Sequence, residues 1–175
     1  MSKTKLLLAL AVVALGAAYF AVSYKEADQT ITPAAVSTEP VFSASFRDLD
    51  DKTQALRQWR GKVLVLNFWA PWCPPCREEI PDFVKLQDKY RARGLVFVGV
   101  ALDEKIKVQA FADEMGINYP VLLGEMEAVD LAHKIGNRLG GLPFTVVIDR
   151  KGGIVASEVG GLTMARLEKM VAPLL

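Results

Sequence analysis

The chain is poor in cysteine and histidine, with two of the first and one of the second in 175 residues. That scarcity excludes a closed structural zinc site, which takes four Cys or His ligands. It also excludes a small scaffold stapled by several disulfides. Neither sign of charge is in excess: 21 Lys and Arg stand against 20 Asp and Glu, a net charge of +1. Nothing in that balance points to nucleic acid; it fits a protein that meets other proteins or small thiols. Internal repeats and low-complexity tracts are missing too. What remains is ordinary for a globular domain, with 51% apolar and 23% charged residues.

Charge is also missing from one long stretch. After the basic start Lys3 and Lys5, residues 6–22 carry no charged side chain, and Tyr19, Phe20 and Tyr24 sit at the far end. As a helix this run would measure about 26 Å, slightly short of a bilayer core but extendable through Ser23 and Tyr24. We read residues 1–24 as an N-terminal membrane anchor. A cleaved signal peptide is the alternative, since Ala21-Val22-Ser23 fits a small-x-small cleavage pattern. With no cysteine near its end, the run offers no site for lipid modification there. Lys3 and Lys5 would stay in the cytoplasm, so either reading exports the remainder. Residues 25–40 are polar, contain Pro33 and Pro40, and read as a linker to a single domain over 41–175.

Within that domain, alternation over 41–46 predicts a short strand, followed by a polar turn over 48–53. The continuous apolar runs 63–68 (VLVLNF) and 95–102 (LVFVGVAL) predict strands buried on both faces. Helical spacing of Ile80, Phe83, Val84, Leu86 and Tyr90 predicts a helix over 78–90, ended by Gly94. Further helices are expected over 105–115 and 125–135, each stopped by a glycine, with a short strand at 120–123 between them. A strand over 144–149, a turn at 150–153 and a partner strand over 154–159 form a hairpin, and Thr163 starts a last helix. Strand–helix alternation followed by a hairpin implies an α/β fold, a mixed central sheet with helices on both faces.

Both cysteines fall in one segment, Trp69-Ala70-Pro71-Trp72-Cys73-Pro74-Pro75-Cys76-Arg77-Glu78-Glu79-Ile80-Pro81. A structural disulfide across so short a loop would constrain the unfolded chain very little. Redox chemistry is the better reading, because C-x-x-C between a buried strand and a helix is a specific signal. Positions i and i+3 share a helix face, so the disulfide can open and close without moving the backbone far. Cys73, at the helix N-terminus, is the candidate attacking thiol; Cys76, one turn in, is the candidate resolving thiol. Pro74 and Pro75 suit a first helical turn but supply no N–H, so the Cys73 pKa should fall less than the helix dipole alone would bring about.

With Asn67 and Phe68 in front, this segment resembles the active-site segment of the thioredoxin fold, and more narrowly the TlpA-like and ResA-like membrane-anchored thiol–disulfide oxidoreductases of the bacterial envelope. Gly61-Lys62, Tyr119-Pro120-Val121, Gly141-Leu142-Pro143-Phe144-Thr145 and Val147-Ile148-Asp149 match as well, so the likeness covers 41–175. It implies a thioredoxin-like fold on the periplasmic side of the inner membrane. It implies a cis proline at Pro143 facing the dithiol, with the Leu142 backbone pairing with substrate. Together with Trp72, Pro74 and Pro75 these are the candidate substrate-binding residues. Pro81 corresponds to a helix-kinking proline. Thioredoxins proper carry a buried acid where this chain has Asn67; the TlpA-like pattern instead has the glutamate at Glu79, which implies that Glu79 tunes the thiols and moves their protons. The run Gly136-Asn137-Arg138-Leu139-Gly140-Gly141 is longer and richer in glycine than the family pattern.

The resemblance further implies disulfide-containing exported proteins as substrates, for example in cytochrome c maturation or metal-centre assembly, and re-reduction by a membrane thiol electron donor. No cofactor or metal is called for. A disulfide-forming oxidant is the competing enzyme, and reduction potential separates the two. A copper chaperone on this fold would need wider cysteine spacing and a histidine near the thiols, whereas the single histidine, His133, reads as a surface or satisfied helix residue. A peroxidase of related fold would need a Thr-x-x-Cys signature, which is absent around Cys73.

Overall fold

A computed structural model describes residues 36–175. The apolar run 6–22, read as an anchor, lies outside them. Among the described residues no helix is long and apolar enough to cross a membrane.

The elements are α1 (Glu39–Ser43), β1 (Ser45–Asp48), β2 (Thr53–Ala55), β3 (Val63–Trp69), α2 (Pro74–Tyr90), β4 (Leu95–Ala101), α3 (Lys105–Met115), β5 (Val121–Leu123), α4 (Met126–Lys134), β6 (Phe144–Ile148), β7 (Ile154–Val159) and α5 (Met164–Val171). Seven strands form one sheet in the order β2-β1-β5-β4-β3-β6-β7. The β3–β4 and β4–β5 pairs are parallel; the other pairs are antiparallel. This is the mixed, helix-flanked α/β sheet that the order of elements implied.

The pleat of β3 sorts the core into two layers. Leu64, Leu66 and Phe68 face a cluster with Val41 and Phe42 of α1 and Leu131 of α4. Val63 and Val65 face the other way, toward Phe83 and Leu86 of α2 and Leu167 of α5. Asn67 and Trp69 share the odd-numbered face, because successive side chains alternate. Each large side chain buried this way is worth about 1.5–3 kcal/mol. The ion pairs lie at the surface, as in Arg77–Glu114 and Arg91–Asp88, where a pair is worth at most about 1 kcal/mol. Burial, not charge pairing, holds the sheet and helices together.

The first strand differs from expectation. Residues 39–43 are helical, and β1 begins only at Ser45. Pro40 sits in the first turn of α1, where its missing N–H costs nothing. Adjacent Val41 and Phe42 are both buried, which a one-sided strand would not allow. The Thr38 hydroxyl donates to the Gly152 carbonyl at 2.6 Å and fixes the entry to α1. The turn over 48–53 is present, with Asp48 Oδ1 accepting from the Asp50 and Lys52 amides. It leads into β2, a short polar edge strand that the apolar pattern could not reveal. Helix α2 starts at Pro74, four residues before the expected start at Glu78.

Candidate active site

Strand β3 runs directly into the site. It ends at Trp69, whose side chain is fully buried. The close approach of its indole requires Gly99 on β4: a Cβ there would lie 2.7 Å from Trp69 Nε1. The loop 70–72 then turns the chain into α2. The Cys73 amide donates to the Ala70 carbonyl at 3.1 Å, and the Arg77 amide donates to the Cys73 carbonyl at 3.2 Å, the first bond of the helix. The Arg77 side chain folds back over the loop, with Nη1 donating to the Pro71 carbonyl and the guanidinium 4.7 Å from the Phe111 ring centroid. The loop is held from both ends before any side chain of the site is placed.

Cys73 is the N-cap of α2, in extended backbone conformation, and its side chain takes no capping hydrogen bond. An N-cap atom normally accepts from the second or third helical N–H. The second is Pro75, which has none, so only the Cys76 amide remains. The two cysteines are joined as a disulfide, with Cα atoms 5.3 Å apart. Cys73 is 3% exposed and Cys76 is fully buried.

The Leu142–Pro143 bond is cis. Pro143 immediately precedes β6, whose Phe144 pairs with Phe68 of β3, so the cis peptide sits at the sheet end that carries the dithiol. Leu142 packs on the cluster containing both cysteines. Leu142 and Trp72 also line one groove of about 460 Å³, together with Phe68, Leu102, His133 and Leu139. Trp72 is 65% exposed and Leu139 96% exposed. Pro74 is exposed beside Cys73. Pro75 instead lines a separate small cavity of about 170 Å³ with Glu79, Asp82 and Gly161. Thus Trp72 and Leu142 share a groove, while Pro75 and Glu79 share a different cavity.

Glu79 is 2% exposed. The Asn67 side-chain amide donates to its Oε1 at 2.9 Å, and the Leu162 backbone amide donates to its Oε2 at 2.9 Å. Both bonds favour the carboxylate, yet burial outweighs them and pushes the Glu79 pKa up from 4.5 to about 7. An acid that titrates near neutrality beside a buried thiol can accept and return a proton under working conditions. Tyr119, also buried, is held neutral by burial first and by the Glu79 charge second.

Two features escaped the sequence reading. Asn67, which cannot titrate, is the hydrogen-bond donor to Glu79. Asn137 staples the glycine-rich loop, donating to the Gly141 carbonyl at 2.9 Å and accepting from the Gly141 amide at 3.2 Å. An asparagine within a glycine-rich stretch is a turn signal that could have indicated this. His133 is exposed on α4 and faces the groove. Among the described residues no group of three or more His, Cys, Asp or Glu is placed to hold a metal ion.

The comparisons with known proteins agree with this geometry. A family model described as Redoxin matches residues 28–171. The thiol-disulfide oxidoreductase ResA of Halalkalibacterium halodurans is 31% identical over 163 residues, covering 93% of this chain and 89% of the relative. The ResA of Geobacillus thermodenitrificans is 34% identical over 128 residues, covering 73% and 70%. Among solved structures, a thiol:disulfide interchange protein of the thioredoxin family from Chlorobium tepidum superposes with a TM-score of 0.71 at 33% identity, covering 77% of this chain and 94% of that one.

Proposed function

Because the chain belongs to the Redoxin family and is a thiol–disulfide oxidoreductase similar to ResA, we propose that it works as a reductant, opening disulfides in exported proteins outside the cytoplasmic membrane. The observation that carries this direction is the first turn of α2, where Cys73 is the N-cap and the next two residues are prolines, which offer no N–H to a thiolate. A thiolate with few donors is weakly stabilised. The reduced dithiol is then a readier electron donor, since strong oxidants owe their potential to a strongly stabilised reduced form.

The exchange runs in two displacements. The Cys73 thiolate attacks one sulfur of the substrate disulfide, forming a mixed disulfide and expelling the other substrate sulfur as a thiolate. Cys76 then gives its proton to Glu79 and attacks Cys73 Sγ, closing the Cys73–Cys76 disulfide and expelling the second substrate sulfur. Two electrons pass to the substrate. Glu79, one helical turn beyond Cys76, returns its proton to solvent or to product. A membrane thiol protein re-reduces the pair. Cysteines awaiting haem attachment or metal-centre assembly fit as substrates, because both must be free thiols.

Substrate choice falls to the groove beside Cys73. An almost fully exposed leucine gains nothing for the fold, but at the groove rim Leu139 can cover an apolar substrate residue. Leu139→Ser should therefore raise KM several-fold for a protein substrate and leave the rate with a small aromatic disulfide unchanged. Equal loss with both would remove the groove from recognition.

The direction is tested by equilibrating the protein with glutathione or dithiothreitol buffers. A potential toward about −270 mV supports reduction, and one near −120 mV makes the protein an oxidant. Alkylation of Cys73 across pH gives an independent measure: a thiol pKa near 3.5, the range of the strongest oxidants, would exclude the proposal.

A further inference from the structure

Beneath Glu79 lies a fully buried polar pair. Asn67 and Thr145 are each 1% exposed and sit opposite one another in the β3–β6 register. Asn67 Nδ2 makes two hydrogen bonds, to Glu79 Oε1 at 2.9 Å and to Thr145 Oγ1 at 3.0 Å. An amide nitrogen has two N–H donors, so both are used. The amide oxygen, Oδ1, is buried without a partner. An unmade bond in a dry interior is costly, so a reversed amide is the obvious alternative. That reversal would turn a carbonyl toward a carboxylate, two acceptors face to face. Ionised Glu79 selects the orientation in which the nitrogen faces it, and the Thr145 hydroxyl then accepts from the second N–H.

We propose that Asn67, braced by Thr145, is a positioning residue for Glu79: it holds the carboxyl in place through Oε1 and stabilises its charged form, the form that takes the proton. This rests on the reading of Glu79 as the proton acceptor for Cys76. Oε2 accepts from the Leu162 amide, and either oxygen can carry the proton and still accept from its donor. Glu79 also borders the cavity of about 170 Å³ formed with Pro75, Glu78, Asp82, Gly161 and Thr163. That space holds water with room to spare, so the proton has a way in and out.

The charged and titratable surroundings are few. On α2 they are Cys76 one turn before, with Glu78 and Asp82 at the cavity, the latter paired to Lys85. Ahead of β5 there is the neutral Tyr119 phenol. From β3, β6 and the 160–163 segment only Asn67, Thr145 and the Leu162 amide arrive. Among the described residues no cation bears on Glu79; the groups that favour its charged form are Leu162 and Asn67. Losing one such charge-assisted bond is worth about one to two pH units.

The test follows the closure of a preformed mixed disulfide on Cys73 as a function of pH, together with the carboxyl 13C shift of labelled Glu79. In the wild type both should show an inflection that Glu79→Gln abolishes. Asn67→Ala should move that inflection upward by about one to two units. Thr145→Val leaves the second Asn67 N–H without its acceptor, loosens the amide on Glu79 and should move the inflection in the same direction, while Thr145→Ser keeps the hydroxyl and the wild-type inflection. In a Glu79→Gln background neither Asn67→Ala nor Thr145→Val should move the profile further. A folded Asn67→Ala protein with an unmoved inflection would overturn the inference; if that variant does not fold, Thr145→Val against Thr145→Ser decides it by the same criterion. A wild-type profile that Glu79→Gln leaves unchanged would instead overturn the role given to Glu79 itself.

Discussion

Cys76→Ser should trap substrates on the protein and stop turnover. Cys73 keeps its place at the N-cap of α2 and still attacks a disulfide, but serine cannot expel the substrate sulfur. The mixed disulfide then persists until an outside thiol removes it. Loss of a group that acts jointly with a nucleophile costs roughly three orders of magnitude or more in rate. Covalent adducts should accumulate on non-reducing gels and collapse on addition of dithiothreitol. Cys73→Ser should form none. The assignment of roles rests on position. Cys73 directly follows the exposed Trp72, which lines the groove, while Cys76 lies fully buried a turn inside the helix. If Cys73→Ser were the variant that gathered adducts, attacking and resolving roles would be exchanged. Identifying the trapped proteins also tests the substrate class, because cytosolic partners alone would be at odds with an exported domain.

The dithiol was legible in the sequence because its signal is local. Residue type, a spacing of three, and a flanking buried strand all occur within a dozen positions. The two inner strands were legible for a similar reason, since a run such as Val63 to Phe68 is apolar throughout. Glu79 could have been placed by geometry alone. The buried residues of α2 are Cys76, Glu79, Ile80, Phe83, Leu86, Gln87 and Tyr90, the three-and-four spacing of a core-facing stripe. Two polar residues fall on that stripe, and burial obliges each to find partners. Gln87 ties the backbone of β4, donating to the Leu95 carbonyl and accepting from the Phe97 amide. Glu79 finds Asn67 and Leu162, which are 12 and 83 residues away. No local pattern carries such pairings; they exist only once β3, α2 and the segment before α5 are packed. Helix α1 was misread on the same ground. Val41 and Phe42 look like strand residues until Thr38 binds Gly152, 114 positions on. Strand β2 is too short and too polar to announce itself, and pairing with β1 alone defines it.

Keeping an acid at Glu79 should make the oxidised protein less stable as the pH rises, a direction opposite to that of a salt-bridged carboxylate. Burial raises the Glu79 pKa from 4.5 to about 7. Between those values the folded protein holds a proton that the unfolded chain has released, so stability falls with increasing pH. The contribution is fully present below about pH 4.5 and is lost as the pH climbs through 7. Across that window the loss amounts to about 3 kcal/mol, a sizeable share of what a domain of this size has in reserve. Urea unfolding of the oxidised protein at pH 5 and pH 8 measures it, and Glu79→Gln isolates it from every other titrating group. The variant should gain on the wild type by up to about 3 kcal/mol between the two pH values. A difference that stays constant with pH would mean that Glu79 is ionised in the folded protein across the whole range, and its part in proton transfer would fail with it. The expected result gives the acid a physical meaning. A glutamine or an apolar residue could fill the position at lower cost to folding near neutrality, as at many functional sites where stability yields to activity. What such a residue could not do is take the proton from Cys76 and give it back at the same pH.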